Sequence, residues 1–371
     1  MQNHVAVNIY PERFAQNIRF LKQAVSPTKL CVVMKSDAYG HGLAELAPVA
    51  AEAGADAIGI CSNDEARTVR QLLPNIPLIR LRSALKQEYD ESASLLNLEE
   101  QVGSLEVAEY LHQLGLRRQR PIPVHIKIDT GMGRSGFFVE QLEAIKQVCQ
   151  LAGLQVVGLM THFASADDQD LAQTEAQLAQ FTQLKQQLSQ YLPADVLCHS
   201  HNSAASIRLK DQRADLVRIG AACYGAQTSQ CFEQPAELQT VMDMHTSVME
   251  VRDVPAGTSI GYGSKFTTRF NSRIASIPVG FGEGYPRALF NKGQVLINGQ
   301  RCPVIGRVSL NITTIDITQL KQPVAWGDDV VLLGQQGDES ISLEELAGEF
   351  DSVHTEINLM AGLMNQRSYL E

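Results

Sequence analysis

The sequence has few of the features that mark nucleic-acid-binding or membrane proteins. Its 371 residues carry a formal net charge of -10, and no cluster of lysine and arginine offers a surface for a phosphate backbone. No stretch approaches the roughly 18 apolar residues of a membrane-spanning helix, and no basic segment followed by an apolar run begins the chain. We therefore expect that the protein binds neither nucleic acid nor a membrane and is cytoplasmic. A secreted protein whose signal peptide has already been removed would have the same sequence features.

Cysteine pairs with metal or redox spacing are also absent. The seven cysteines are odd in number, scattered, and contain no C-x-x-C pair. Histidine and aspartate do not cluster in metal-ligand spacing either. We therefore expect reduced, mostly buried thiols and no metal site.

What the chain does have is enough apolar sequence for a full core, at 44% hydrophobic residues. Through about residue 230, short β-branched runs alternate with helix-like segments such as 168–192, a pattern typical of a parallel sheet. Eight repeated units close most naturally into a (β/α)8 TIM-like barrel. The predicted strands are 30–34, 57–61, 77–81, 101–104, 124–128, 156–160, 196–198 and 216–218.

The pattern changes from about residue 240 to short strands and turns, which predicts a β-rich second domain. The predicted strands are 246–252, 273–279, 294–297, 302–305 and 330–333, with a turn at Asn298-Gly299. Only 342–349 has a helical pattern, with Ser342 and Glu345 spaced as in a capping box. The predicted fold class is α/β, with a barrel domain over 1–238 and a β-rich domain over 239–371. Residues 1–10, which contain the apolar segment 5–9, are a candidate addition to the second domain.

The polar residues with useful chemistry follow the predicted strands, where barrel active sites lie. Lys35 ends the first apolar strand, a place where burying an amine is costly. A lysine held away from water can form a Schiff base with an aldehyde cofactor. A lysine that reaches solvent from the strand end is the alternative on position alone.

The loops after the seventh and eighth strands resemble a phosphate site in composition. They contain Asn202, Ser203, Gly220 and Ala221, and such loops commonly bind phosphate through backbone N–H groups and hydroxyls. Serine and glycine are also ordinary turn residues, so either interpretation stands at this point.

Six segments, taken together and in order, resemble the successive motifs of the alanine racemase family. They are VMKSDAYGHG at 33–42, the stretch 125–136, THFA at 161–164, and the stretches 199–205, 217–225 and 261–263. The resemblance covers nearly the whole chain. It implies a pyridoxal 5'-phosphate (PLP) amino-acid racemase that works as a homodimer with shared active sites.

The resemblance also implies a role for each matching residue. Lys35 would carry PLP and act as one proton-transfer base, and Tyr262 would act as the other. His162 would assist the phenol of Tyr262. Arg218 would face the pyridine nitrogen and keep it largely unprotonated, which weakens the electron sink and disfavours transamination.

The remaining implied roles concern cofactor and substrate binding. The cofactor-binding positions are Lys35, Tyr39, His199, Asn202, Ser203, Arg218, Gly220, Ala221 and Thr355. The substrate-binding positions are Arg134, Leu310 and Asn311, and Lys127 matches a lysine that is often carbamylated. By residue type alone, His162 and His199 would more often be structural, and Arg218 could instead pair with Asp215.

Several positions depart from the family pattern. Leu310-Asn311 replaces the usual Met-Asp, Phe281 and Glu283 replace Tyr and Asp, and Thr355 stands where a tyrosine is usual. We therefore predict racemisation of alanine with tolerance of other small side chains such as serine. The alternatives are a broad-specificity racemase of the same family and, outside it, a non-catalytic PLP-binding protein.

Overall fold

The computed structural model describes residues 4–209, 214–227, 229 and 231–371. The chain divides into two compact units. The barrel unit comprises Phe14–Ala38 and Leu43–Gln239, and the β-rich unit comprises Met1–Arg13, Tyr39–Gly42 and Thr240–Glu371. Within the described residues, no helix is both long and apolar enough to cross a membrane.

Eight parallel strands form the barrel, and all eight were predicted. In chain order they are Lys29–Val33, Ala57–Ile60, Leu78–Arg80, Glu100–Val102, Ile122–Asp129, Leu154–Met160, Leu197–His199 and Leu216–Ile219. Six of the neighbouring pairs form parallel ladders, one of them with a register shift between Val124 and His125. A bridge between Ile79 and Glu99 joins the third and fourth strands, and the Asp215 N–H donates to the Cys198 carbonyl at 2.9 Å to join the seventh and eighth. The predicted (β/α)8 barrel is confirmed.

Helices alternate with these strands. They are Pro11–Val25, Leu43–Glu52, Asn63–Leu72, Lys86–Leu95, Leu105–Arg117, Leu142–Cys149, Ala172–Gln187 and Ser203–Arg208. The helix predicted over 168–192 is shorter at both ends. Asp170 accepts a hydrogen bond from the Ala172 N–H and so starts the helix late. At the other end a turn bonds Tyr191 to Leu188.

The fifth barrel strand shows how the sequence separates the core from the site. Val124, Ile126 and Ile128 belong to one apolar cluster with helix residues such as Leu111 and Phe181. Successive side chains on a strand point to opposite faces, so the alternate residues of this strand point into the barrel. Those residues are His125, Lys127 and Asp129, all buried.

The β-rich unit is built on a sheet of ten strands beside a two-stranded ribbon. The strands of the sheet are Ala6–Ile9, Met242–Ser247, Glu250–Val254, Ser272–Ile277, Gln294–Ile297, Gln300–Ile305, Thr313–Asp316, Asp329–Gln336, Glu339–Ile341 and Arg367–Tyr369. The ribbon pairs Ser259–Ile260 with Phe266–Thr267. Ala6–Ile9 pairs antiparallel with Met242–Ser247 and parallel with Arg367–Tyr369.

Two predictions in this unit were wrong. The segment 246–252 is not one strand, because the chain changes pairing partners within it. Met242–Ser247 pairs with Asp329–Gln336, whereas Glu250–Val254 pairs with Ser272–Ile277. The second error is a missed helix, His354–Met364, which follows Leu343–Gly348.

Local turn and cap chemistry was predicted more accurately than strand limits. Asn298 and Gly299 have φ values of +52° and +69°, as a tight hairpin between Gln294–Ile297 and Gln300–Ile305 requires. Ser342 caps its helix by accepting a hydrogen bond from the Glu345 N–H at 3.1 Å. His354–Met364 has no side-chain cap at Val353, so the usual start signal is missing from the sequence.

Candidate active site

Lys35 lies at the end of the first barrel strand and is followed by an unusual turn. Residues Ser36, Asp37, Ala38 and Tyr39 all have φ between +53° and +55°, although none is glycine. Left-handed backbone costs roughly 1–2 kcal/mol per L-residue, so the fold must hold this turn in place. The Ala38 N–H donates to the Met34 carbonyl at 3.0 Å, and the Asp37 carboxylate accepts from the Leu43 N–H at 2.7 Å.

Arg218 is almost fully buried in the barrel. Its guanidinium donates to five acceptors: the Thr161 carbonyl at 2.7 Å, His199 Nδ1 and the His199 carbonyl at 2.9 Å each, His162 Nδ1 at 3.1 Å and the Ser200 carbonyl at 3.2 Å. The alternative pairing with Asp215 is wrong. The Asp215 carboxylate accepts from the Cys198 N–H and pairs with Lys185.

These contacts determine the tautomers of two histidines. A guanidinium only donates, so Nδ1 of both His162 and His199 must accept. Burial first, and nearby cations second, hold the pKa of both imidazoles well below the usual value, which keeps them neutral. Each neutral ring therefore carries its proton on Nε2, directed away from Arg218.

The hydrogen bonds continue beyond His199 to a carboxylate. His199 Nε2 donates to His125 Nδ1 at 2.8 Å, so His125 carries its own proton on Nε2 and donates it to Glu99 at 2.8 Å. Space for His125 depends on Gly158, because a Cβ there would lie 1.9 Å from His125 Nδ1. Sequence reasoning missed both His125 and Glu99. The alternation of polar residues in the fifth strand was the available clue.

Lys127 is a buried amine close to Arg218. Its Nζ donates to the Ile128 carbonyl at 3.0 Å. Burial, and then the charges of Arg218 and Arg134, lower its pKa to about 7. The charge of Asp129 works against this lowering, and one oxygen of Asp129 accepts from three backbone N–H groups of the following loop.

The seventh and eighth strand loops meet at the Ser203 hydroxyl. The Gly220 N–H donates to Ser203 Oγ at 3.2 Å, and the Ala222 N–H lies at 3.4 Å. Ala221 lies between these two amides in the chain and begins the short helix Ala221–Tyr224. Asn202 caps Ser203–Arg208 by accepting from the Ala205 N–H at 3.0 Å.

The other predicted residues belong to the β-rich unit. Tyr262 is 72% exposed and begins a turn between Gly261 and Gly263, which both have positive φ. The Tyr39 carbonyl lies 3.1 Å from His41 Nδ1. Thr355 is half-buried in the first turn of His354–Met364.

Two departures from the family pattern contact each other. Asn311 Nδ2 donates to one oxygen of Glu283 at 2.6 Å, and the Gly280 N–H donates to the other at 2.9 Å. Leu310, beside Asn311, is mostly exposed. An amide next to a carboxylate avoids the repulsion that two acids would have at this distance. The replacements at positions 283 and 311 therefore form a single contact, whereas the sequence analysis considered them separately.

The charge around His162 tests whether these residues suit a phosphate-bearing cofactor. Arg218, Lys127, Arg134 and Lys35 all lower the pKa of this histidine, so four basic side chains lie near one ring. Within the described residues, no group of three or more His, Cys, Asp or Glu could hold a metal ion. A cation-rich pocket of this kind fits an anionic cofactor and a substrate carboxylate.

Two family models match the chain. They describe the alanine racemase N-terminal domain, over residues 9–228, and the alanine racemase C-terminal domain, over residues 241–369. The chain belongs to the alanine racemase family. The predicted family is confirmed, and the match to the second domain argues against a non-catalytic PLP-binding protein.

Known relatives of this racemase differ in the substrate for which they are named. The alanine racemase of Halothermothrix orenii is 38% identical over 335 residues, which cover 90% of this chain and 87% of that protein. The lysine racemase of Proteus mirabilis is 35% identical over 347 residues, covering 92% and 83%.

A solved structure agrees with the fold of this racemase over its full length. The alanine racemase of Bartonella henselae with covalently bound pyridoxal phosphate has a TM-score of 0.91 at 27% identity, with 99% of both chains covered. The chain is therefore a PLP-dependent amino-acid racemase, as the sequence predicted.

Proposed function

We propose that the enzyme interconverts L- and D-alanine with two bases, Lys35 and Tyr262, on opposite sides of the cofactor. The observation that carries the proposal is the buried, charged Arg218, whose guanidinium donates to five acceptors. PLP, when bound, supplies an electron sink for the Cα–H bond. Lys35 joins it covalently and moves a proton on one face, and Tyr262 does so on the other.

Arg218 sets the strength of that sink. Burial lowers its pKa to about 10, which still leaves the guanidinium charged at neutral pH. A cation that only donates leaves the cofactor's ring nitrogen unprotonated. The sink is then weak, and a removed proton is replaced on Cα rather than elsewhere, as racemisation requires.

His162 is proposed to make Tyr262 a better base. Its Nδ1 accepts from Arg218, so its proton is on Nε2. An Nε2–H directed at the phenol oxygen stabilises the charge that appears when Tyr262 gives up its proton.

The other matching residues are proposed to bind the ends of the two small molecules. Arg134 binds the substrate carboxylate, since a guanidinium suits a carboxylate geometrically. The Ser203 loops, which already bring two N–H groups to one hydroxyl, bind the phosphate. The full set for the cofactor is Lys35, Tyr39, His199, Asn202, Ser203, Arg218, Gly220, Ala221 and Thr355.

Substrate breadth is proposed to depend on Leu310, Asn311 and Thr355. A threonine in place of a tyrosine enlarges the space for a side chain. The alternative, a broad-specificity racemase, is favoured by similarity to a lysine racemase at 35% identity.

A panel of single enantiomers, followed by chiral chromatography, tests the proposed substrate. We expect the highest kcat/KM with alanine and measurable turnover of serine. A higher kcat/KM with lysine than with alanine would replace the proposal by the broad-specificity alternative. No turnover of any amino acid would end it.

A homodimer with shared active sites is also proposed. In the β-rich unit, Phe281, Leu310, Ile312 and Tyr262 are large side chains that are all at least 40% exposed. The Phe281 segment and the Leu310 segment bond directly, through the Gly282 N–H and the Leu310 carbonyl at 2.7 Å. Exposed apolar surface of this kind favours a protein partner, here a second copy that places its Tyr262 opposite Lys35.

Lys127 is proposed to carry a carbamate. Only a neutral amine reacts with carbon dioxide, and with a pKa of about 7 Lys127 is neutral above that pH and protonated below it. With labelled bicarbonate, we expect a carbamate carbon signal by NMR that fades as the pH falls through 7. The signal should be lost in Lys127→Met and kept in Lys86→Met, which removes an exposed lysine. Its persistence in Lys127→Met would contradict the assignment.

We also infer a cytoplasmic location from the cysteines. All seven are free thiols. Burial raises the pKa of Cys31 to about 12, which keeps it protonated and unreactive. Unpaired thiols favour a reducing compartment. Recovery of the protein outside the cytoplasm on cell fractionation would contradict this.

A further inference from the structure

We propose that Glu65 is a positioning residue for Lys35, because its carboxylate holds the left-handed turn that follows the lysine. The inference rests on the proposed role of Lys35. Glu65 belongs to a neighbouring helix, Asn63–Leu72, and nothing in its sequence context suggests more than a helix cap.

The carboxylate of Glu65 joins three segments of the barrel unit. One oxygen accepts from the Ser36 N–H at 2.6 Å. The other accepts from the N–H groups of Cys61 at 2.7 Å and Ser62 at 3.0 Å. The end of the first strand, the end of the second strand and a helix start therefore meet at one side chain.

The Ser36 contact lies next to Lys35 in the chain. Four successive non-glycine residues with positive φ do not keep this shape by local preference, so outside contacts must hold them. A carboxylate accepting from an N–H is a strong, charge-assisted bond. By holding the Ser36 amide, it sets the peptide plane after Lys35 and hence the direction in which the Lys35 side chain leaves the backbone.

The charges near Cys61 are consistent with this role of Glu65. Burial raises the pKa of the Cys61 thiol, and the positive charges of Lys35, Arg82 and Arg80 work against that rise. Of these three charges, that of Lys35 has the largest effect on Cys61, whose N–H group Glu65 also binds. The contact of Glu65 with this turn is to the Ser36 backbone N–H, so its role is positioning rather than catalysis.

The same residue is also a helix cap, and the two roles can be separated. Ser62 Oγ accepts from the Glu65 N–H at 3.2 Å in a capping box. Ser62→Ala removes that bond and leaves the Ser36 contact. Glu65→Gln keeps the bond to Ser62 Oγ and removes the Ser36 contact. Its single carbonyl oxygen satisfies two N–H groups when turned to Cys61 and Ser62, which turns the NH2 toward the Ser36 N–H.

The experiment compares Glu65→Gln, Glu65→Ala and Ser62→Ala as PLP-loaded enzymes. Three quantities are measured: kcat and KM for alanine, the visible circular dichroism of the bound cofactor, and Tm. We expect Glu65→Gln to lower kcat by about tenfold to a hundredfold, with little change in KM or Tm and a weaker dichroic band. Ser62→Ala should lower Tm and leave kcat and the band unchanged.

Several results would overturn the inference about Glu65. If kcat of Glu65→Gln stays within about twofold of the native value and the band is unchanged, the inference is overturned and Glu65 is only a cap. Equal losses of kcat in Ser62→Ala and Glu65→Gln would overturn it too. Should Glu65→Ala not fold, Glu65→Gln alone decides. If the native enzyme racemises nothing, the proposed function fails, whereas the dichroic band still tests the Glu65 contact.

Discussion

Replacing Lys35 by alanine is expected to lower racemisation of alanine by about four orders of magnitude or more, because in the proposed mechanism this residue supplies both the covalent link and a base. The covalent link between Lys35 and the cofactor can be measured independently of activity. After borohydride reduction and proteolysis, the peptide containing residue 35 of the native enzyme should carry the cofactor mass. The variant should bind PLP more weakly and carry no such mass.

Lys86→Ala provides the matched control. Lys86 begins the helix Lys86–Leu95, and its side chain is 70% exposed. We expect native activity and native attachment in this variant. A reduced cofactor still attached to the Lys35→Ala protein would mean that another amine carries it, and the assignment of the site would be wrong.

Replacing Tyr262 by phenylalanine is expected to lower racemisation by about a hundredfold to ten-thousandfold, the usual contribution of one general base. Exchange of the α-hydrogen should be lost for only one of the two enantiomers. Lys35 can still exchange the α-hydrogen of one enantiomer with solvent, but no group delivers a proton to the opposite face. Deuterium uptake from heavy water, measured with each enantiomer separately, should therefore persist for one and fall for the other.

A control variant and a subunit-mixing experiment complete the test of Tyr262. Tyr191→Phe removes a phenol oxygen from a partly exposed tyrosine of the barrel unit and should change nothing. Mixing Lys35→Ala with Tyr262→Phe subunits should restore activity if sites are shared, because one site of a mixed dimer then has both native residues. Equal loss of exchange for both enantiomers would refute the two-base proposal, and absence of complementation would refute the shared site.

Much of the architecture could be predicted because it follows from short-range patterns. Most of the barrel strands contain apolar, β-branched residues, because a parallel sheet is buried on both sides. The placement of Lys35, Arg218 and the Ser203 loop near one edge follows from the same pattern, since parallel strands all end at one side of a barrel.

Other features depend on partners distant in sequence. The segment 246–252 has uniform strand character, and only its pairing with two different strands divides it. His125 and Glu99 are ordinary polar residues in the sequence, and their hydrogen-bonded path to Arg218 exists only once the barrel closes. The Asn311–Glu283 contact likewise joins residues 28 positions apart.

The sequence by itself determined the family, the barrel and the candidate residues proposed to carry the chemistry, because residue types and their order are written directly in it. The tertiary structure decided what state those groups are in. The lowered pKa of Lys127, the tautomers of His162 and His199, and the left-handed turn after Lys35 each arise from burial and from contacts between separate strands. Such effects depend on distances in space of a few ångströms, which no local pattern of residues encodes.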